Sequence, residues 1–290
     1  MSLVLAECVE SFRHYQDLVD KYKIDDFVDP TKVQAYMEDF NLDSIVSDAK
    51  LAVPSPNMVV NKSVAKVETP IEPEFSNLCR LHWLILLRKP LTVLELGSGY
   101  STTVIVDAMS RLKNIFGFWA NANLRVNNPF HLYSVDESQK FMNISMSRIS
   151  SERHSLITPL VASVNLYLHD GRLTTRYSQL PNVTPDFIYV DGPSLYACEE
   201  TSFGLGFADI SRVPISSDIL PFEFFMEPGS FVLIDGRSAN AEFLNHYLKR
   251  NWVHSHDFTG DVHYLELQEN PFGALNKKKM EFSLNGAWTL

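Results

Sequence analysis

The sequence predicts an α/β fold, a doubly wound and mostly parallel sheet of seven strands with a C-terminal antiparallel hairpin, behind an N-terminal helical extension. Three observations carry this. Short apolar strand candidates alternate with helical stretches from about Leu91 onward, the rhythm of a parallel sheet. The first strand candidate runs into a glycine-rich turn that opens a helix. The last two are joined only by Thr259-Gly260-Asp261, which makes them a hairpin.

From Leu3 to about Leu51 apolar residues fall at helical spacing, as in Val9, Phe12, Leu18 and Val19, then Val33, Tyr36, Met37 and Phe40. Asp29-Pro30-Thr31 reads as a helix start that splits the segment. Pro54, Pro56, Pro70 and Pro73 interrupt any regular element, so a linker or strap is expected there. The chain is therefore divided into an extension and linker over 1–73, a main domain over 74–270 and a tail over 271–290. Phe75, Leu78, Leu81, Leu84, Ile85 and Leu87 predict a buried helix closed by Lys89-Pro90. The strands are placed at Thr92 to Leu96, Leu132 to Val135, Leu166 to Leu168, Phe187 to Val190 and Ser230 to Ile234, with the hairpin at Trp252 to Phe258 and Val262 to Leu267. The stretch Arg111 to Phe130, between first helix and second strand, reads as a surface loop.

Composition narrows the function. A chain of 290 residues with 45% hydrophobic and 21% charged residues is long enough for a substantial core, and no apolar run approaches the roughly 20 residues of a membrane span. No membrane partner is expected. A net charge of -10 repels a phosphate backbone, and the basic cluster Lys277 to Lys279 reads as a solvated tail, so nucleic acid is not expected as a partner. Met1 to Phe12 carries Glu7 and Glu10 where an export signal needs basic residues, and Cys8, Cys79 and Cys198 lack metal-ligand spacing, so a cytoplasmic protein with unpaired thiols is expected.

The strongest chemical signal is Val93-Leu94-Glu95-Leu96-Gly97-Ser98-Gly99-Tyr100-Ser101-Thr102. Gly97 and Gly99 allow a tight turn and close approach of a ligand, and the new helix offers free amides at its positive end. Glu95 adds a negative charge, which suits a cationic amino-acid or sulfonium ligand better than a phosphate. A nicotinamide site wants a third glycine where Thr102 stands, and a phosphate loop wants a lysine followed by serine or threonine.

The segment resembles motif I of the class I S-adenosylmethionine-dependent methyltransferases, Rossmann-like enzymes, in the variant with Gly-Tyr-Ser-Thr. The resemblance extends over about Leu91 to Leu267 and implies an S-adenosylmethionine pocket formed by Glu95, Gly97, Gly99 and Ser101. It implies that Asp136, with Glu137, holds the ribose hydroxyls, which a carboxylate accepts in pairs. It implies that Asp170, with Gly171, meets the adenine amine at the end of a third strand, and that Asp191 ends the fourth. Pro228-Gly229 stands where that family turns into its fifth strand, which ends at Asp235-Gly236-Arg237. Asp191-Gly192-Pro193-Ser194 stands where amino-group methyltransferases carry an Asn-Pro-Pro-Tyr type motif, which disfavours nitrogen on nucleobases as the acceptor.

Transfer to a hydroxyl needs a base or a metal near the methyl group. Asp191, Asp235 and His169 are the catalytic candidates, with a structural role for Asp235 beside Arg237, and for His169, as the plainer reading. Asp191 and Asp235 resemble the paired carboxylates of metal-dependent catechol-type O-methyltransferases, but Gly236 stands where their asparagine is expected; no metal ligand is assigned and magnesium is a doubtful cofactor. The connection Pro193 to Pro228 is the expected acceptor-side loop, and the N-terminal helices are expected to cover the same edge or to form a homodimer contact. A small-molecule methyltransferase is the leading reading; a nicotinamide oxidoreductase and a non-catalytic nucleoside-binding protein are the alternatives.

Overall fold

A computed structural model describes residues 14–46, 73–209 and 211–284. Its elements are α1 (residues 14–20), a 3-10 helix at Ile24–Val28, α2 (Pro30–Asp39), α3 (Phe75–Arg88), β1 (Thr92–Leu96), α4 (Tyr100–Asn123), β2 (His131–Asp136), α5 (Gln139–Arg148), β3 (Ile157–Val161), β4 (Val164–His169), β5 (Arg172–Tyr177), β6 (Phe187–Val190), β7 (Phe231–Asp235), α6 (Ser238–Tyr247), β8 (Trp252–Asp257), β9 (Val262–Leu267) and α7 (Gly273–Leu284). Seven strands form one sheet in the order β3-β2-β1-β6-β7-β9-β8, parallel except at β9, which runs antiparallel to both neighbours. The architecture is Rossmann-like, as the sequence predicts.

The four central strands, β2, β1, β6 and β7, are buried along almost their whole length because both faces of the sheet are covered. Side chains alternate between two cores. Val93, Leu132, Phe187, Tyr189, Phe231 and Leu233 join the core beneath α3 and α4. Leu94, Leu96, Val135, Ile188, Val190, Val232 and Ile234 join the core beneath α6. The N-terminal segment adds Phe27, Tyr36 and Phe40 to the α3–α4 side, where Tyr36 Oη lies 2.7 Å from His82 Nδ1. Asp29 caps α2 as expected, accepting from the Thr31 amide with Pro30 at the first helical position.

Three expectations are corrected. The third strand of the sheet is β3, beginning at Ile157; Leu166 to Leu168 instead lie in β4, which pairs only with β5 in a separate antiparallel hairpin. Asp170 and Gly171 both have positive φ, 48° and 74°, as a two-residue turn of the primed type demands. Arg111 to Phe130 is not a surface loop for most of its length: α4 continues to Asn123 and its Leu112, Gly117 and Ala120 are buried. Residues 273–284 are not a solvated tail but helix α7. It buries Met280, and Lys279 pairs with Asp186 and with Glu227, at the edge of the sheet where β6 and β7 begin. The charge there is compensated, while Lys277 is 67% exposed and fits the expectation. Cys79 and Cys198 are buried free thiols. Cys8, the periodic residues Val9 and Phe12, and the linker prolines Pro54, Pro56 and Pro70 lie outside the described residues. No helix among the described residues is long and apolar enough to cross a membrane.

Candidate functional site

The chain runs outward from β1 to β2 and β3, then returns to β6 on the other side of β1 and continues to β7. The strand order therefore reverses between β1 and β6, and the crevice outside their carboxyl ends is the usual ligand position in such sheets. Gly97 ends β1 with φ of 96°, a conformation that favours glycine, and its amide donates to the Val135 carbonyl at 2.8 Å. Its neighbour across the crevice is Gly192. A Cβ on Gly97 would lie 2.7 Å from the Gly192 amide nitrogen, and one on Gly192 would lie 2.6 Å from Cα of Gly97 and 2.8 Å from Oη of Tyr177. Gly99, by contrast, faces open space, with only Ser101 Oγ at 3.9 Å from the place of a Cβ.

Glu95 is fully buried beneath this turn. Its carboxylate accepts from the hydroxyls of Ser134 at 2.6 Å, Ser101 at 2.7 Å and Thr102 at 2.8 Å, and Thr102 Oγ1 in turn accepts from the Gly99 amide at 3.0 Å. Burial pushes the Glu95 carboxyl up to about 7 even though those hydroxyls favour its charged form. Glu95 and Ser101 are thus spent on each other, shaping the turn from below rather than facing the crevice.

Asp136, at the end of β2, holds the turn from the side. One oxygen accepts from both the amide and the hydroxyl of Ser98, each at 2.7 Å, and the other accepts from the Ser138 amide at 2.7 Å. Burial, and then the neighbouring Glu137, raise its carboxyl above the ordinary value, with the Ser138 and Ser98 bonds offsetting part of that rise. Glu137 is only half-buried and bridges two loops, accepting from Tyr177 Oη at 3.3 Å and from the Ser194 amide at 3.1 Å. It borders the same loop as Gly192.

Asp191 directly follows β6 and Asp235 ends β7, at neighbouring positions as the sequence implies. Asp191 is exposed to solvent, although many protein atoms surround its carboxylate. Burial, then the charge of Asp235, push its carboxyl up to about 7, while Arg237 opposes the rise. Arg237 clamps the loop after β6 by donating to the carbonyls of Asp191 at 3.0 Å and Pro193 at 2.6 Å, and its Nη1 is buried without a hydrogen-bond partner. Asp235 accepts from Tyr189 Oη at 2.8 Å and from Asn77 Nδ2 at 3.2 Å, which ties it to the first turn of α3.

His169, Asp170 and Gly171 are placed elsewhere. The His169 ring packs edge-on against Tyr247 at 4.7 Å and Phe243 at 5.9 Å. Tyr247 is the last residue of α6, whose first residue, Ser238, follows the crevice; ten helical residues put the hairpin tip about 14 Å further down the sheet. Asp170 is exposed there beside Arg172. The physical reason is the corrected third strand: β3 ends at Val161 and runs on into Ala162-Ser163, with no acid there. Ser163 Oγ instead donates to Ser178 Oγ at 3.0 Å.

Sequence reasoning missed Tyr177, whose hydroxyl packs on Gly192, and Asn77, which holds Asp235; neither carries a motif. It also missed a cavity of about 420 Å³ between the N-terminal segment, the start of α3 and the β8–β9 turn, lined by Phe27, Val33, Met37, Phe75, Arg80 and Gly260 among others. The N-terminal segment lines this cavity, while Asn77, which contacts Asp235, belongs to α3.

No protein-family model and no curated protein matches the sequence. Solved structures do match. A candidate caffeoyl-CoA O-methyltransferase from Staphylococcus aureus aligns with a TM-score of 0.43 and 10% identity over 81% of this chain and 100% of its own. An O-methyltransferase from Bacillus cereus in complex with S-adenosylhomocysteine aligns with a TM-score of 0.35 and 12% identity over 81% of this chain and 91% of its own. At these identities the likeness is one of fold alone.

Proposed function

We propose that the chain is an S-adenosylmethionine-dependent methyltransferase that acts on a small-molecule acceptor at a hydroxyl. The observation that carries this reading is the pairing, at one topological switch point, of an open glycine turn with three carboxylates, Asp136, Glu137 and Asp191, one of them held near neutral titration. Acidic residues suit a ligand that presents ribose hydroxyls, an ammonium and a sulfonium, and they repel a pyrophosphate.

The residues present fit that group on its ribose and amino-acid side. Gly99 leaves space against the backbone, and Glu137, with lone pairs beyond those used by Tyr177 and Ser194, is the diol acceptor. On the adenine side Ser163 and Ser178 replace the carboxylate that the resemblance implies at Asp170. When bound, the sulfonium supplies an electrophilic methyl group. Asp191 takes the proton from the accepting hydroxyl, which a carboxylate titrating near 7 does efficiently at neutral pH. Asp235 sets the field at Asp191, and Arg237 fixes the loop that carries it. We assign the acceptor to the 420 Å³ cavity, whose lining residue Ser76 adjoins Asn77, the partner of Asp235.

Calorimetric titration of the purified protein with S-adenosylmethionine, S-adenosylhomocysteine and NAD tests this, with and without magnesium. Binding of the two adenosyl ligands, and not of NAD, is the expected outcome, to be followed by an acceptor screen. Binding of NAD alone would overturn the reading, and binding of none would leave the fold without this cofactor.

A further inference from the structure

The hairpin β8–β9 and its turn carry His254, His256, Asp261 and His263, an H-x-H followed by a D-x-H. Residues two apart on a strand share a face, so His254 and His256 project together. His256 is the direct register partner of His263 on β9, and Asp261 stands where the turn enters that strand. Three imidazoles consequently form a stack. His256 and His263 have ring centroids 3.7 Å apart at 14°, and His254 and His263 lie 5.2 Å apart at 16°.

The donor atoms of His256, Asp261 and His263 all lie within 4.8 Å of one another. His256 Nε2 is buried and has no hydrogen-bond partner, although Asp261 Oδ1 is only 3.6 Å away. An unsatisfied buried nitrogen is unfavourable, and coordination to a cation would remove that penalty.

We propose that His256, Asp261 and His263 form a site for a divalent transition-metal ion of the zinc class, distinct from the Asp191–Asp235 pair. Two imidazole nitrogens and one carboxylate oxygen suit zinc, nickel, copper or iron far better than the all-oxygen preference of magnesium or calcium. The surroundings supply a second layer. His263 Nδ1 is 3.0 Å from His254 Nε2, so with His263 ligating through Nε2 its Nδ1–H donates to His254 and fixes the ring. Ser238 Oγ, now 2.8 Å from His263 Nε2 and 3.5 Å from Asp261 Oδ1, occupies the space between the ligands and can rotate aside. The Asp261 backbone is held in place by accepting the Gly236 amide at 2.9 Å, which puts the site one strand outward from Asp235. Its side chain is 67% exposed, so a coordination position is open to water or to a substrate oxygen.

The experiment uses the full chain without a histidine tag, stripped with a chelator and titrated with Zn²⁺ against a chromophoric competitor. One equivalent of zinc bound per chain is expected. H256Q and H263Q should each weaken binding more than a hundredfold, and H254Q by about ten- to a hundredfold as an orienting neighbour. H14Q, at an exposed histidine, should change nothing. Co²⁺ bound to the unmodified protein should give the intense visible absorption of a low-coordinate site, which needs no variant to fold. Absence of stoichiometric zinc binding, a weak octahedral cobalt spectrum, or folded H256Q and H263Q that bind like the parent would each overturn the site.

Discussion

Gly97 and Gly192 meet backbone to backbone across the switch point, so closely that a side chain on either would displace the other. The two loops that bound the crevice are thereby held at a fixed separation. Overpacking of this kind costs about 1–3 kcal/mol, and at Gly97 the positive φ adds to it. G97A and G192A are therefore expected to lower the urea midpoint by an amount corresponding to about 2 kcal/mol or more, and to weaken adenosyl-ligand binding as well. Midpoints equal to that of the parent would show that the loops are free to separate.

Glu137 and Asp170 make opposite predictions for the ligand. A hydrogen bond to a charged group contributes about 1.5–3 kcal/mol, so E137Q should weaken S-adenosylhomocysteine binding about tenfold or more. D170A, on an exposed hairpin tip, should bind as the parent does. Calorimetry on both variants decides the matter, and loss of affinity in D170A would return the adenine contact to that residue.

The buried carboxylate of Asp107 joins four parts of the structure. It lies 3.1 Å from His82 Nε2 on α3, 2.6 Å from Arg111 Nε on its own helix and 2.7 Å from Arg153 Nη1 ahead of β3, and Arg111 also donates to the Phe40 carbonyl of the N-terminal segment. Burial alone would raise its carboxyl, but the bond from His82 and the nearby cations hold it well below the ordinary value of 3.8. A depressed acid stabilises the fold above its unfolded value, and that stability is lost as pH falls through the folded one. D107N should therefore cost about 1–3 kcal/mol at pH 7, since it removes the charged acceptor of buried His82 while Arg111 and Arg153 stay about a third exposed to water. It should also abolish the part of the acid-unfolding slope below about pH 4 that the parent owes to this group. Denaturant curves at several pH values measure both.

Glu95 titrates in the other direction. Its folded value, about 7, lies above the ordinary 4.5, so the fold is favoured while the group is protonated and loses stability as pH rises from 4.5 through 7. E95Q keeps the shape and should flatten that part of the stability profile, at a gain on the order of 3 kcal/mol at pH 8. E95A leaves three buried hydroxyls without their acceptor and should destabilise the protein at every pH.

The central sheet and the crevice were legible in the sequence because their signals are local. An apolar run into Gly-Ser-Gly can only be a strand, a turn and a helix, and Asp136, Asp191 and Asp235 follow strands buried on both faces. The third strand was not legible. Ile157-Thr158-Pro159-Leu160-Val161 has exposed residues and a proline, as an edge strand does, whereas Leu166 to Leu168 looked more apolar while belonging to a half-exposed hairpin. The Asp170-Gly171 pair between alternating residues carried the hairpin signal, but an acid after an apolar run satisfied the expected motif first. The roles of Tyr177 and Asn77 could not be read at all, since each depends on a residue at least 15 positions away in the chain, Gly192 and Asp235 respectively.

Asp191 gives the most direct test of the proposed base. Its carboxyl is raised by burial first and by Asp235 second, and lowered by Arg237. In D235N the asparagine can still accept from Asn77 and donate to Tyr189 Oη, so the geometry at the strand end is kept while the charge is removed. The Asp191 midpoint should then move down from about 7, whereas R237Q, which removes the opposing charge, should move it up. Carboxyl carbon shifts in protein labelled at aspartate follow this without an acceptor, and D191N identifies the signal. Once an acceptor is found, the acidic limb of kcat/KM should move in the same two directions. A midpoint unmoved in folded D235N would mean that burial alone sets the acidity of Asp191, and a pH profile unmoved while the midpoint shifts would remove Asp191 from the role of base.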